Sequence, residues 1–294
     1  MYIGVDIGGS HITVAEVDLT AGKPDLTQMI RAKIHPHGGA EEILSAWVKA
    51  IKRVAEGKQT YFLGIAMPGP FDYEKGICLM KGVNKYDHLY GMNIREELAL
   101  RLDIPAKNIL FLNDSAAFLA GEMVFGTGKS YQKGMGITLG TGLGTAIYEN
   151  GTPKDMGLGI GYPLHDGVAE DFISTRWFIA RYSELTGESV EGVKELADKF
   201  YDHPVVRRVF KEFSDNMILF LEGFIERFHP EIIVIGGNIS LSSELFFPKV
   251  NEFLQTCSPE IRLEKSLLNE NAALLGSAGQ WKSTSLGLIK SNTR

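Results

Sequence analysis

Two short glycine turns and one isolated Asn-Asp pair are the parts of this chain whose residue types could do chemistry. The first turn is Asp6-Ile7-Gly8-Gly9-Ser10, after the apolar run Tyr2–Val5. The second is Gly140-Thr141-Gly142-Leu143-Gly144, after Met135–Leu139. Between them, Asn113-Asp114 closes the apolar run Ile109–Leu112. Backbone N–H groups at glycine turns approach a phosphate with no side chain in the way. A carboxylate beside such a cradle is repelled by phosphate unless Mg²⁺ lies between them, and that is the chemistry open to Asp6. An Asp within ~3 Å of a bound hydroxyl can orient it and take its proton as an O–P bond forms, which is the chemistry open to Asp114. Each piece also has a plainer use, as a Gly-Gly hairpin or as an Asn or Asp cap at a helix start. Two cradles with one carboxylate between them predict a kinase that clamps its phosphate donor between two lobes.

The second turn is not a Walker loop, since no Gly-Lys-Ser/Thr follows it. A strand pattern rather than a helix comes next, so it is not a dinucleotide fingerprint either. Gly236-Gly237-Asn238 ends a strand pattern and opens a helical one. It reads as helix entry or as a flat backbone surface for a nucleobase or ribose. The seven histidines fall into no metal-ligand or nucleophile pattern.

Bulk composition narrows the classes. The 294 residues suffice for one large domain or two ordinary ones. Net charge is −6 with no extended basic run, so nucleic acid is not an expected partner. Cys78 and Cys257 stand far apart, as reduced structural thiols of a cytoplasmic protein would. The start Met1-Tyr2-Ile3-Gly4-Val5-Asp6 has no basic segment and meets a charge too early for a signal peptide. No stretch nears the ~18 apolar residues of a membrane span, so no membrane partner is expected.

The elements that must position these residues alternate. Strands are expected over Tyr2–Ile7, Ile12–Val17 and Met29–Ile34, then a helix over Glu41–Val54 with Ile43, Leu44, Trp47, Val48, Ile51 and Val54 at helical spacing. A buried strand Tyr61–Met67 stops at Pro68-Gly69-Pro70, and Asn93 caps a helix to Leu102. In the second half, Met135–Leu139 and Gly144–Tyr148 flank the second turn and end at Asn150-Gly151, a strong turn dipeptide. Pro204–Phe228 is the longest helical pattern and Glu231–Ile235 a buried strand, with further helices at Leu241–Leu254 and Ala272–Trp281. Both halves open with a hairpin around a glycine turn and then alternate strand and helix, a weak internal duplication of an α/β unit.

Taken together, these pieces resemble the sugar-kinase branch of the ROK family (repressors, open reading frames, kinases), within the actin/hexokinase-like ATPase superfamily. The resemblance runs from Gly4 to about Gly279. Val5-Asp6-Ile7-Gly8-Gly9-Ser10 is similar to the family's first phosphate motif and Thr138-Leu139-Gly140-Thr141-Gly142-Leu143-Gly144 to the second. Met67-Pro68-Gly69-Pro70 resembles the sugar-side loop, and Asn113-Asp114-Ser115-Ala116-Ala117 with Gly121-Glu122 the catalytic motif. Ile233-Val234-Ile235-Gly236-Gly237 resembles the adenosine motif. The resemblance implies an α/β, two-lobed, actin/hexokinase-like fold (a ribonuclease H-like unit duplicated) with a cleft between the lobes. The lobes expected are 1–118, joined by a C-terminal helix 280–294, and 119–279. Implied roles are Asp114 as catalytic base, Gly69, Asn113 and Asp114 at the sugar, and Asp6 holding Mg²⁺ through water. Gly8, Gly9, Ser10, Gly140, Thr141 and Gly142 would face the phosphates of ATP, and Gly236 and Gly237 its nucleoside. The implied assembly is a homodimer. Repressor members carry a DNA-binding segment ahead of the first motif, and with Asp6 as the sixth residue none is expected.

The chain also departs from the pattern. Family kinases carry a Glu-x-Gly-His turn after the second phosphate motif. The matching stretch here is Gly159-Ile160-Gly161-Tyr162-Pro163-Leu164-His165, with Gly159 for the Glu and Tyr162 for the His. Sliding the register makes His165 the His but supplies no Glu. The family's zinc loop has no counterpart, because no cysteine lies between Cys78 and Cys257, so zinc is not expected. Glu170 matches the family's final sugar-binding Glu, and Tyr162 would stack on a ring or an acyl group. A missing hydrogen-bond partner costs a sugar ~1–3 kcal/mol, which leaves the hexose open. Polyphosphate glucokinases of the family share the missing zinc loop. Three readings follow: transfer of the γ-phosphoryl of Mg-ATP to a hexose hydroxyl, mainly the 6-OH; the same transfer from polyphosphate; or sugar sensing without catalysis.

Overall fold

The computed structural model describes the backbone of residues 1–19 and 25–291, and side chains as far as residue 282. Residues 292–294 of the expected C-terminal helix lie outside the described residues. The chain divides into two compact units, Met1–Phe125 with Glu270–Arg294, and Gly126–Asn269.

The first unit is built on strands β1 (Tyr2–Ile7), β2 (His11–Asp18), β3 (Asp25–Lys33), β4 (Phe62–Met67), the short hairpin β5 (Phe71–Asp72) and β6 (Ile77–Cys78), and β7 (Ile109–Asn113). The main sheet has the order β3-β2-β1-β4-β7. Strands β1 to β3 form an antiparallel meander, and β4 and β7 run parallel to β1. Strands β1 and β4 are buried almost end to end, because helices cover both faces of the parallel part. On one side helix α1 (Ala40–Val54) presents Ile43, Leu44, Trp47, Ala50, Ile51 and Val54 to the core. Glu41 and Glu42 in its first turn and Lys52 and Arg53 in its last complement the helix dipole. Helix α2 (Ile94–Leu102) begins at Asn93, whose side chain accepts the Glu96 N–H, as the sequence predicts.

The other side takes α3 (Asp114–Phe125) and the C-terminal helix Asn271–Ser291. That helix lies directly on backbone. A methyl group on Gly4 would run into the Leu274 carbonyl, one on Gly64 into that of Ser277, and one on Gly121 into that of Ala272. Glycine is what lets the helix approach so closely.

The second unit repeats the plan with β8 (Lys133–Leu139), β9 (Leu143–Glu149), β10 (Thr152–Asp155), the small hairpin β11 (Pro163–Leu164) and β12 (Gly167–Val168), β13 (Ile232–Gly236) and β14 (Arg262–Lys265). Its main sheet has the order β10-β9-β8-β13-β14, again a meander followed by two parallel strands. The duplication read from the sequence is therefore present in strand order. Asn150 and Gly151 are both left-handed, the conformation a tight β9–β10 hairpin needs.

Helices α4 (Leu158–Gly161), α5 (Ala169–Phe172), α6 (Thr175–Thr186), α7 (Val193–Asp198), α8 (Pro204–Phe228) and α9 (Phe247–Cys257) complete the unit. Helix α8 matches its expected span and anchors a core of Phe178, Phe210, Phe213, Phe220 and Phe224. The helix expected over Leu241–Leu254 is instead a 3₁₀ segment, Asn238–Leu245, followed by α9. Serines at 240, 242 and 243 compete for backbone hydrogen bonds, and Pro248 restarts the α-helix at its first turn. Among the described residues no helix is long and apolar enough to cross a membrane.

Candidate active site

In the first unit β1, β4 and β7 are parallel and adjacent, so their C-terminal ends deliver Asp6, Met67 and Asn113 to one edge of the sheet. Such edges are where ligands meet open α/β sheets. The first glycine turn closes the β1–β2 hairpin there, with the Gly8 N–H donating to the His11 carbonyl at 2.9 Å. The wholly buried Tyr86 braces it from behind, its hydroxyl donating to the Gly8 carbonyl. Gly9 has nothing within 4 Å of where a Cβ would stand, so packing does not require glycine there. Ser10 is exposed, its hydroxyl 2.9 Å from His11 Nδ1.

The sequence leaves open whether Asn113 or Asp114 caps the helix. Asn113 does: its Oδ1 accepts the N–H groups of Ser115 at 2.8 Å and Ala116 at 3.1 Å. Its amide donates to the Tyr73 hydroxyl at 3.2 Å, and that hydroxyl donates to the Met67 carbonyl at 3.1 Å. Gly69 lies against the same hydroxyl, which would stand 3.3 Å from an added Cβ. Gly69, Asn113 and Asp114 are thereby brought together. With the cap supplied by its neighbour, Asp114 uses Oδ1 for the Ser115 N–H at 2.8 Å and keeps Oδ2 without a partner among the described residues.

Asp6 faces Asp114. Burial first, and then the Asp114 charge, push the Asp6 carboxyl up to about 7, against a smaller downward pull from Arg31. Two carboxylates close enough to repel each other suit the neighbourhood of a divalent cation. No cluster of three or more His, Cys, Asp or Glu gathers among the described residues. A cation here would take one or two carboxylates and complete its shell with water and phosphate, as Mg²⁺ does.

A stability prediction follows from the same residue. The native state holds the Asp6 proton more tightly than the unfolded chain does, so it binds more protons between pH 3.8 and about 7. Stability therefore falls as pH rises through that window and levels off above it. Asp6→Asn is expected to be more stable than the parent at pH 8 by up to ~4 kcal/mol, with the gain gone near pH 4. Urea titrations at the two pH values check this, and equal curves at pH 8 would refute it.

In the second unit Gly140-Thr141-Gly142 joins β8 to β9, with the Gly140 N–H donating to the Gly142 carbonyl at 3.0 Å. Thr141 is exposed, and a Cβ on Gly140 would meet nothing within 4 Å. Glu170 on α5 covers the turn. Its Oε2 accepts the Leu143 N–H at 2.9 Å and fills the space beside Gly142, while its Oε1 pairs with Arg176 at 2.6 Å. Strand β13 lies beside β8, Gly236 opposite Thr138, so the third glycine segment reaches the same edge as the turn. Gly237 is left-handed (φ +83°), and a side chain there would strike the Leu139 carbonyl, so packing alone requires glycine.

Tyr162, expected to stack on a ring or an acyl group, is half-buried against α8. Its hydroxyl fills the notch at Gly223 on α8, and its ring meets Phe220 edge-on at 5.3 Å. This aromatic is part of the packing of the second unit. Gly159 presses on the Leu143 carbonyl, so no side chain fits where the family pattern has Glu. His165 is left-handed at the β11–β12 turn and bonds Asn216 on α8 at 2.9 Å. Sequence reasoning misses Tyr73, Tyr86 and Arg176, none of which belongs to a local motif.

A model of the ROK family matches residues 2–160. The chain is 26% identical to a glucokinase of Thermotoga maritima, with 94% of this chain and 95% of that protein aligned. It is 24% identical to an N-acetyl-D-glucosamine kinase of Pectobacterium carotovorum over 84% of this chain and 86% of that one. Its fold is similar to that of a ROK family glucokinase from Streptomyces griseus solved with glucose and AMPPNP. There the TM-score is 0.76 at 22% identity, covering 95% of this chain and 98% of that one.

Proposed function

The chain belongs to the ROK family, and from that premise we propose that it is an ATP-dependent sugar kinase acting on a hydroxyl, the 6-OH, of a hexose or hexose derivative. The observation that carries this reading is the open Oδ2 of Asp114, at the helix start that Asn113 caps and with its charge felt at Asp6. Asp114 accepts the proton of the acceptor hydroxyl as its oxygen bonds to phosphorus and the bond to the departing ADP oxygen breaks. Asn113 fixes the start of α3, and with it the direction of the Asp114 side chain. Gly69 and Asn113 flank the sugar. With the Gly8 and Gly140 N–H groups used within their own turns, the remaining N–H groups of Gly8–Ser10 and of Gly140–Gly142 are the ones offered to the phosphates, and the segment at Gly236 and Gly237 faces the nucleoside. Asp6 would hold Mg²⁺ through water, and the ion would supply charge neutralisation on those phosphates.

A panel of hexoses and N-acetylhexosamines, each offered with Mg-ATP and with Mg-polyphosphate, tests the proposal. ADP release with at least one sugar is expected, together with a product whose phosphorus couples to C6 in NMR spectra. Turnover from polyphosphate alone would correct the donor. Calorimetry showing sugar binding with no nucleotide binding would replace the kinase with a sugar sensor.

A further inference from the structure

In the first glycine turn, the peptide between Gly8 and Gly9 can face either way. The Gly8 N–H is spent on the His11 carbonyl, which fixes the peptide before it. Gly9 is exposed, with open space where a Cβ would stand. A peptide between two glycines meets no side chain of its own as it rotates. A bond from outside the turn settles the direction: the Tyr86 hydroxyl donates to the Gly8 carbonyl. This peptide is trans and planar, so its C=O and N–H point in opposite directions. A Gly8 carbonyl held on a wholly buried side chain therefore turns the Gly9 N–H away from the core.

Tyr86 reaches this place in a costly conformation. Within the segment 81–90 only Tyr86 and Leu89 are buried. The φ of Tyr86 is +58°, in the left-handed region that a bulky side chain rarely adopts. Its N–H donates to the Pro36 carbonyl at 2.7 Å, and its ring meets Trp47 of α1 edge-on at 5.4 Å. Phenylalanine would serve that ring packing equally well, so the hydroxyl is left with Gly8 as its reason. Burial, and then the Asp6 charge, hold the hydroxyl above its ordinary range, so it keeps the proton it donates. Strained backbone of this kind collects where a functional geometry is being enforced.

We propose that Tyr86 is a positioning residue for the phosphate donor. It locks the Gly8–Gly9 peptide with the Gly9 N–H outward, ready to donate to a phosphate oxygen. The inference rests on the kinase reading above. Being wholly buried, Tyr86 acts only through Gly8.

The test measures Mg-AMPPNP binding by calorimetry, KM for Mg-ATP and for the best sugar, and melting temperature, in the parent, Tyr86→Phe and Tyr182→Phe. Tyr182 is the comparison: it too is buried, and its hydroxyl donates to Glu188 at 3.1 Å within the second unit. Tyr86→Phe is expected to weaken Mg-AMPPNP and raise KM for Mg-ATP about ten-fold, the scale of one lost hydrogen bond to a charged group. KM for sugar should stay near its parental value. Tyr182→Phe should lower the melting temperature and leave both KM values in place. An equal rise in both KM values in Tyr86→Phe would overturn the inference, since it marks a general distortion of the unit. A second measurement needs no Tyr86 variant. In parent protein carrying isotope-labelled glycine, the Gly9 amide signal, assigned by its loss in Gly9→Ala, should shift when Mg-AMPPNP is added. A Gly9 signal that stays in place while Mg-AMPPNP binds would also overturn the inference. A parent that binds no Mg-AMPPNP removes the kinase reading together with the inference. A parent that binds it no more tightly than Tyr86→Phe removes the inference alone.

Discussion

Asp114→Asn is expected to lower the turnover of sugar by Mg-ATP about 10²–10⁴-fold or more, the range over which a positioned general base acts. Sugar affinity should stay within a few-fold. The reason lies in how the two oxygens of Asp114 are used. Oδ1 serves the fold by accepting the Ser115 N–H, and the amide oxygen of Asn can do the same. Helix capping does not depend on the residue at all, because Asn113 already accepts from Ser115 and Ala116. The substitution therefore removes the proton acceptor and little else. It also removes a negative charge felt at Asp6, so the Asp6 carboxyl should move part of the way down toward its ordinary value of 3.8, burial still holding it up. Melting temperature at pH 8 should be equal to or above that of the parent. Coupled ADP-release kinetics and a thermal melt on one preparation check both halves. Near-parental kcat would show that Asp114 is not the base.

Gly64→Ala is expected to destabilise the first unit by ~3 kcal/mol or more, at or above the top of the range for overpacking a core. The added methyl has nowhere to go: it meets the Ser277 carbonyl of the C-terminal helix, which is backbone and cannot rotate aside. Either the helix lifts, exposing Leu274, Leu275 and Ala278, or the sheet bends. Gly9→Ala and Gly140→Ala make the opposite prediction, since their Cβ atoms enter open space. Those two should melt within ~0.5 kcal/mol of the parent, as surface changes do, yet raise KM for Mg-ATP. Urea titrations and steady-state kinetics separate the two classes. Loss of stability at Gly9 equal to that at Gly64 would mean that the turn glycines serve folding rather than phosphate.

The glycine turns and the Asn-Asp pair were legible because each is a contiguous segment whose residue types carry their own reason. So were α1, α8 and the buried strands, where apolar spacing is long and regular. The braces of the site were not. Tyr73 bonds Asn113 across 40 residues of chain, Tyr86 bonds Gly8 across 78, and Glu170 bonds Leu143 across 27. No local pattern announces such partners. Strand β10, Thr-Pro-Lys-Asp, is an exposed edge without alternation, and α4 and α5 are single turns. Tyr162 sits inside a binding motif, and nothing next to it in sequence announces its packing on α8. The clue lay elsewhere, in the lone Gly223 within the long helix α8, a gap that some side chain had to fill.

The first unit is assembled from both ends of the chain, with the whole of the second unit spliced into it. Synthesis runs from one end to the other, so the strands around Gly4 and Gly64 leave the ribosome before the second unit and the helix that seals them leaves after it. The inserted segment has all its residues in hand before that helix exists. The second unit is thus free to close as a contiguous segment, whereas the first cannot complete its packing until the segment after the second has been made.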